Sequence, residues 1–165
     1  MPSRRAVIAG GVGAAIAALG YRAWDRGVVA GATGPAYVPW DEWRGSDVDG
    51  SQRPLRGAIL AASPHDTQPW LFGVSAVQVA VYADRARHLG TFDPFRREMH
   101  LGLGCAIENF VCAARSFGIA TDVQPASGRL ALSPAPQPVL AARIALGTGQ
   151  AAPDVLFRAL PKRRT

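Results

Sequence analysis

Residues 62–70 of the chain read Ala-Ser-Pro-His-Asp-Thr-Gln-Pro-Trp, and the rest of the sequence is organised around this stretch. Before it, Pro54 suits the first position of a helix, and apolar residues recur at helical spacing through 55–62. After it, residues 70–74 and the alternating valines of 77–81 predict two strands. Two prolines within the stretch prevent a helix or a strand from continuing through it. The sequence therefore predicts a helix, an irregular polar turn and then a strand.

A longer amphipathic helix is predicted from about Phe95 to Phe117, where apolar residues recur every three or four positions. Gly118 is suited to end it. Further strands are predicted at 119–123, 129–132 and 139–146. A short final helix is predicted at 155–160. The pattern predicts an α+β fold, with an antiparallel or mixed sheet packed against helices.

The charge of the chain excludes one class of partner. The sequence has 18 Lys and Arg residues against 12 Asp and Glu, a net charge of +6. Residues 33–161, however, contain 11 arginines and 11 acidic residues, so the positive excess lies at the two ends. A neutral body argues against a nucleic-acid partner. With 48% hydrophobic residues the chain is not a disordered tail, and two cysteines exclude a disulfide-built mini-domain.

The first 32 residues have the pattern of an export signal. Ser3 and a pair of arginines precede a Gly/Ala-rich apolar run over 6–20, and residues 30–32 are small, as a cleavage site requires. This pattern resembles a twin-arginine (Tat) signal, which predicts export to the periplasm, cell envelope or exterior. An uncleaved membrane anchor, with Tyr21 and Trp24 at the interface, is the alternative. The predicted organisation is thus a signal or anchor (1–32), a lead-in (33–52) and a lobe (53–165).

The residues alone identify no catalytic group. Cys105 and Cys112 lie about 10 Å apart along the predicted helix, too far for a disulfide, and are interpreted as small buried thiols. The three histidines lack metal-ligand spacing, so no metal site is predicted. Glu98 and Glu108 share one side of the helix and could form an acid pair, although such residues more often cap helices, pair with arginine or face water.

The 62–70 stretch resembles the Ser-Pro-x-Asn-x-Gln-Pro-Trp segment of nitroreductase-like flavoproteins, and most of all their Acg-type branch of FMN-dependent oxidoreductases. Residues 83–85 with 93–98, the helix segment 102–109 and the lead-in segment 37–40 agree with the same branch. The resemblance covers about residues 35–165.

The resemblance implies an FMN pocket at the interface between two copies of the fold, lined on this side by Ser63, Pro64, Asp66 and Gln68. Trp70 is expected to pack in the core. The chain departs from the family at Asp66, where Asn is usual. An ionised carboxylate cannot donate a hydrogen bond and is unfavourable beside an electron-rich flavin edge unless it is paired.

Chains of the Acg-type branch are about twice as long, and their second half begins with an Arg-x-Thr-x-Arg-type phosphate-binding segment. Residues 163–165, with Arg163 and Thr165, are similar to its start. The resemblance therefore implies the N-terminal half of a truncated or split oxidoreductase. Its partner would be a second lobe or a second copy, and its substrates NAD(P)H and a small nitroaromatic or quinone acceptor. A non-catalytic flavin-binding module and an inactive exported remnant are the alternatives.

Overall fold

The structure, a computed structural model, describes residues 4–25, 35–45, 50–127, 137–152 and 155–162. The chain divides into two compact units, Met1–Val38 and Pro39–Thr165. In the first, helix α1 spans Arg4–Asp25, and residues 13–24 are almost all exposed. Among the described residues, no helix combines the length and apolar character needed to cross a membrane.

The second unit has helices on a four-stranded sheet, which confirms the predicted α+β class. Its helices are α2 (Val38–Glu42, whose first residue belongs to the first unit), α3 (Leu55–Ala58), α4 (Arg97–Ser116) and α5 (Val155–Ala159). Its strands are β1 (Trp70–Val74), β2 (Gln78–Ala83), β3 (Ile119–Pro125) and β4 (Val139–Thr148). The strand order is β1-β2-β4-β3, and every neighbouring pair is antiparallel. The strand predicted at 129–132 lies outside the described residues.

The main core forms where α4 packs across the sheet. Phe110 on α4 is fully buried, as are Val79, Val81 and Ile144 on the central strands β2 and β4. Burying an apolar side chain of this size stabilises the folded state by about 1.5–3 kcal/mol. The periodicity of the predicted helix over 95–117 thus corresponds to one buried face of α4.

The helix before the 62–70 stretch is shorter than its apolar spacing predicts. It ends at Ala58, and the next turn is held by hydrogen bonds of the tighter i to i−3 type, from Leu60 N–H to Gly57 O and from Ala61 N–H to Ala58 O. Leu60 packs with Trp43, whereas Ala61 joins the main core, so the tighter turn serves two separate clusters.

Helix α3 is fixed against α4 by a close backbone approach. A Cβ added to Gly57 would lie 2.9 Å from Ala113 Cβ and 3.2 Å from Asn109 O, so only glycine fits without a shift. The Asn109 side-chain amide donates to Gly57 O at 3.2 Å. This contact places the C-terminal end of α3, and therefore the start of the following loop, at a fixed position on α4.

Candidate functional site

The candidate site is the polar loop, residues 62–69, which joins the turn after α3 to β1. Three of its residues have a left-handed backbone: His65 at φ 49°, Asp66 at φ 52° and Gln68 at φ 45°. None is a glycine, and a non-glycine residue in this region costs about 1–3 kcal/mol. So much strain within four residues must be offset by other interactions of the loop.

The loop holds its own shape through internal hydrogen bonds. The Ser63 hydroxyl oxygen accepts a hydrogen bond from Gln68 N–H at 2.7 Å and lies 3.4 Å from Thr67 Oγ1. The N–H of Asp66 donates to Ser63 O at 3.0 Å, and that of Thr67 donates to Pro64 O at 3.1 Å. Three consecutive backbone N–H groups are therefore committed within the loop, so only its side chains remain to contact any ligand.

The inner side of the loop rests on α4 and β1. A Cβ added to Gly102 of α4 would lie 3.5 Å from Pro64 Cδ and 3.6 Å from Ala62 O, which is ordinary van der Waals distance. Trp70 is 6% exposed and belongs to the main core, which confirms its predicted packing role. Its N–H donates to Gln68 O at 2.9 Å, so the last turn of the loop is tied to the first residue of β1.

Two side chains present polar groups at the outer side of the loop. Asp66 is exposed, and its Oδ1 accepts a hydrogen bond from Gln68 Nε2 at 3.0 Å. Gln68 is half-buried, and its carboxamide has an oxygen and a second N–H besides the N–H that it donates to Asp66. An acceptor beside a donor complements the edge of a planar ring that carries an N–H next to a carbonyl oxygen.

Arg87 is a neighbour of the loop that sequence reasoning did not single out. Its Nη1 lies 3.4 Å from Thr67 O, and its Nε lies 3.2 Å from Asp84 Oδ2. The only signal in the sequence is its position just after residues 83–85, a block used for the family resemblance. Arg85 of that block is buried, and its Nε donates to Gln137 O at 3.0 Å.

The four predicted flavin-side residues described by the structure lie in one loop, but they divide into two roles. The hydroxyl of Ser63 and the ring of Pro64 shape the loop, whereas Asp66 and Gln68 have polar groups at its outer side. The predicted phosphate-side residues, Arg163 and Thr165, lie outside the described residues.

The other candidates from the sequence are dispersed along α4. Glu98 and Glu108 are both exposed and lie about 15 Å apart along the helix axis, at 1.5 Å per residue. Cys112 is buried, but Cys105 is exposed, so the prediction of two buried thiols is wrong for Cys105. No group of three metal-ligating side chains that could hold an ion occurs among the described residues.

Solved structures that are similar to this chain include the following two. One is a provisionally assigned NADH oxidase from Clostridium acetobutylicum, 15% identical with a TM-score of 0.49; the likeness covers 67% of this chain and 82% of that one. The other is a provisionally assigned nitroreductase in complex with FMN from Desulfovibrio desulfuricans, 18% identical with a TM-score of 0.47; the likeness covers 72% of this chain and 88% of that one. No protein-family model matches the chain, and no curated protein matches it. At these identities and TM-scores, neither likeness establishes a family or an activity for this chain.

Proposed function

We propose that this chain supplies one wall of an FMN-dependent, nitroreductase-like oxidoreductase. The observation that supports this most directly is the polar loop, in which three non-glycine residues are held in a left-handed backbone beside exposed polar side chains. Strain of this kind concentrates at ligand sites, where the surrounding structure maintains it. The same loop is the part of the sequence that resembles the flavin-binding segment of the nitroreductase-like and Acg-type proteins.

The side chains at the loop fit the edge of an isoalloxazine ring. That edge carries an N–H group between two carbonyl oxygens, and the Gln68 carboxamide can accept from the first and donate to one of the others. Asp66 adds a second acceptor, which Gln68 Nε2 partly satisfies. Arg163 and Thr165 are the proposed phosphate-side groups, because Arg and a hydroxyl suit phosphate oxygens. A second lobe or a second copy would complete the pocket.

Bound FMN would carry electrons from NAD(P)H to a small acceptor such as a nitroaromatic or a quinone. The chain's own contribution is to bind and orient the ring edge through Gln68, and to keep the loop in its strained shape through Ser63. No residue of this chain is proposed as a catalytic acid, base or nucleophile.

The test of the proposal is FMN binding by the full chain, measured by flavin fluorescence quenching and by calorimetry. Asp66→Asn should tighten binding about three- to tenfold, because it removes a negative charge beside the ring and adds a donor. Asp122→Asn is the matched control, since Asp122 accepts from Gln124 Nε2 at 2.9 Å on β3 much as Asp66 accepts from Gln68 Nε2 at 3.0 Å in the loop. The control should leave the affinity unchanged.

A chain that is purified without colour and takes up no added FMN, alone or with Asp66→Asn, would overturn the proposal. Equal responses to Asp66→Asn and Asp122→Asn would show that flavin binds elsewhere. Gln68→Ala, which removes the carboxamide, should weaken binding about tenfold if the ring edge lies at the loop.

The Asp66 carboxylate favours a second candidate function, in which the chain holds flavin without turnover. A negative charge beside the ring disfavours the electron-rich reduced form of the cofactor. Steady oxidation of NAD(P)H with a nitroaromatic or quinone acceptor would contradict this alternative. Flavin binding without turnover by the full chain would support it.

We also propose that residues 1–32 direct export by a twin-arginine route. Arg4 and Arg5 open α1, whose sequence through residue 20 is rich in glycine and alanine. The segment can be fused to a reporter protein that is exported only when folded. Replacing the arginine pair by lysines should abolish export, and a cofactor-loaded protein would then stay inside the cell; export that persists would contradict the proposal.

A further inference from the structure

A cavity of about 280 Å³ lies between α4 and the sheet, where β3 ends and β4 begins; it is here called the α4 cavity. Helix α4 contributes Leu103 and Gly104 to its lining, and the start of β4 contributes residues 139–141. The N–H of Ala126 donates to Ala141 O at 2.8 Å, so the two strand ends that form one wall are tied together. No residue of the polar loop lines the cavity, so its lining is distinct from the candidate flavin site.

The open volume of the cavity depends in part on Gly104. A Cβ added there would meet nothing within 4 Å, so packing within the described part of the chain does not require a glycine. Glycine inside a helix is destabilising relative to alanine, and its presence therefore needs another explanation. Because Gly104 lines the cavity, a larger side chain at this position would occupy space that is now open. Keeping that space open accounts for the glycine.

The lining of the cavity favours an aliphatic ligand over an aromatic one. Leu103, which is 3% exposed, lines it together with Ile107 and Val139. Among the described residues, no aromatic ring and no lysine, arginine or acidic side chain lines the cavity. A planar ring would thus lack the ring-to-ring contacts that usually hold it, and a charged group would lose its hydration without gaining a partner. A flexible aliphatic chain needs neither kind of contact.

The volume of the cavity limits the length of such a chain. A methylene group is about as large as a water molecule, whose share of liquid volume is about 30 Å³, so the α4 cavity accommodates about eight to ten carbon atoms. Its size is close to the lower limit for small-molecule pockets, which is about 300 Å³. Carbon atoms beyond this number would extend out of the cavity into water.

Two exposed polar side chains, His100 and Ser127, line the cavity at its rim. The Nδ1 of His100 lies 2.5 Å from Arg96 O, and a carbonyl oxygen can only accept, so Nδ1 carries a hydrogen. The Nε2 of the neutral ring is then an acceptor, which suits a ligand that donates an O–H. The Ser127 hydroxyl can donate in turn. A hydroxyl at the end of an aliphatic chain complements both groups, because it can donate to Nε2 and accept from Ser127.

We propose that the α4 cavity binds a medium-chain aliphatic alcohol, with its chain against Leu103 and Val139 and its hydroxyl at His100. The aromatic and quinoid acceptors of the proposed FMN reaction do not have this shape, so the cavity is a second site and not part of the first. The proposal does not depend on flavin binding, and its test is carried out without flavin.

Calorimetric titration of the full chain with linear alcohols of increasing length tests the size of the site. From 1-hexanol to 1-nonanol the affinity should rise about fourfold per added carbon, the factor that corresponds to about 0.8 kcal/mol for each buried methylene. The affinity should then level off between 1-decanol and 1-dodecanol, because the additional carbons remain in water. Association with the exposed apolar residues of α1 has no such limit. Affinity that keeps rising through 1-dodecanol would therefore overturn the proposal.

The head group is tested with 1-octanol and 1-methoxyheptane, which have equal numbers of heavy atoms but differ in that only the alcohol has an O–H. The wild-type chain should prefer the alcohol about fivefold, the factor expected of one hydrogen bond. In His100→Ala the two ligands should bind within about twofold of each other, since the acceptor is gone. Octanoate should bind at least about tenfold more weakly than 1-octanol, because no cation lines the described cavity. Tighter binding of octanoate, or an alcohol preference that survives His100→Ala, would contradict the role of His100.

Two leucine variants on α4 test the location of the site. Gly104→Leu should weaken 1-octanol binding more than about tenfold, because its side chain fills the cavity. Cys105→Leu is the matched control: it places the same side chain at the adjacent exposed position, which does not line the cavity, and it should keep the affinity within about twofold. Thermal melting should show that both variants fold, since leucine favours a helix at either position. Full affinity in Gly104→Leu, or a wild-type chain that binds none of the alcohols, would overturn the proposal.

Discussion

The polar loop (62–69) and the segment that precedes α4, here called the cap segment (90–96), have similar local features but differ in backbone strain. Each leads into a regular element, β1 in one case and α4 in the other. In each segment a side-chain oxygen accepts a hydrogen bond from a backbone N–H. Ser63 Oγ accepts from the N–H of Gln68 at 2.7 Å, and Asp93 Oδ2 accepts from the N–H of Glu98 at 3.0 Å. Each also holds a non-glycine residue in the left-handed region.

The two segments differ in how much of their strain the fold explains. In the cap segment one non-glycine residue is left-handed, Arg96 at φ 53°, and it turns the chain into α4. Asp93 is 5% exposed, and both of its contacts are to N–H groups at the helix start. The polar loop has three left-handed residues, yet it leads only into an edge strand, and Asp66 is exposed. Strain beyond what the next element requires motivates the ligand-binding role proposed for the polar loop.

The largest expected effect belongs to the cap segment. Asp93→Ala removes an acceptor for the N–H groups of Glu98 and Met99 from a buried position and should lower the free energy of unfolding by about 3 kcal/mol, because hydrogen bonds to a charged group contribute about 1.5–3 kcal/mol each. Asp93→Asn keeps an acceptor and should cost about 1 kcal/mol. Urea denaturation measures both variants. The folded fraction of either Asp93 variant should bind FMN with unchanged affinity. A large change in affinity would mean that the cap segment also takes part in FMN binding, so that the two segments would not differ in this respect.

The next effect is at the matching position of the polar loop. Ser63→Ala leaves Gln68 N–H without its acceptor and should cost about 1–2 kcal/mol in urea denaturation. The same variant should weaken FMN binding more than tenfold, because the shape of the loop depends on this bond. Ser63→Thr keeps the oxygen and tolerates the extended backbone of residue 63, so it should preserve both properties. A variant Ser63→Ala that keeps full FMN affinity would show that the loop shape does not matter for binding.

The elements of the fold were predictable because their signals are local. The buried face of α4 follows from apolar spacing, and β2 follows from its alternating valines. Strand β1 follows from the strand-like residues 70–74 directly after Pro69. The end of α3 was not predictable from periodicity, because Leu60 and Ala61 pack into two different clusters, and only the tertiary structure separates these. Cys105 was misassigned for a similar reason: the two thiols lie on the same side of α4, but only Cys112 is covered there, by the cluster that contains Trp43 and Phe157.

The site was predictable only in part. The family resemblance identified the loop, but it did not distinguish Ser63, which shapes the loop, from Gln68, which presents a carboxamide. The left-handed backbone of His65 was not predicted, because a histidine adopts a positive φ more often than most residues but still only in a small minority of cases. Arg87 reaches the loop across a separation of about 20 residues, a distance that no local pattern encodes.

Replacing a left-handed residue by glycine relieves the backbone strain in each segment and gives a third comparison. His65→Gly and Arg96→Gly should each raise the free energy of unfolding by about 0.5–1 kcal/mol, since the left-handed cost of 1–2 kcal/mol exceeds the entropy that glycine loses on folding. Only His65→Gly should weaken FMN binding, by about threefold, because the freed loop samples shapes in which the Gln68 carboxamide is misplaced. Thermal melting and flavin titration measure the two effects. Equal flavin affinities in the two variants would mean that the strain in the polar loop has no role in binding.

The smallest expected effect is at Arg87. Substituting this residue tests whether it holds the polar loop in place or only lies beside it. Its ion pair with Asp84, at 3.2 Å, involves a side chain that is 54% exposed, and its contact with Thr67 O is long at 3.4 Å. Exposed ion pairs contribute about 0.2–1 kcal/mol, so Arg87→Gln should lower stability by less than about 1 kcal/mol, and Arg87→Lys by less still. High salt should reduce the difference between these variants and the wild type, because it screens the pair. If Arg87→Gln instead lowers the free energy of unfolding as much as Ser63→Ala does, the polar loop is held by a residue outside it, as the start of α4 is held by Asp93. In that case the two segments would not differ in how they are stabilised.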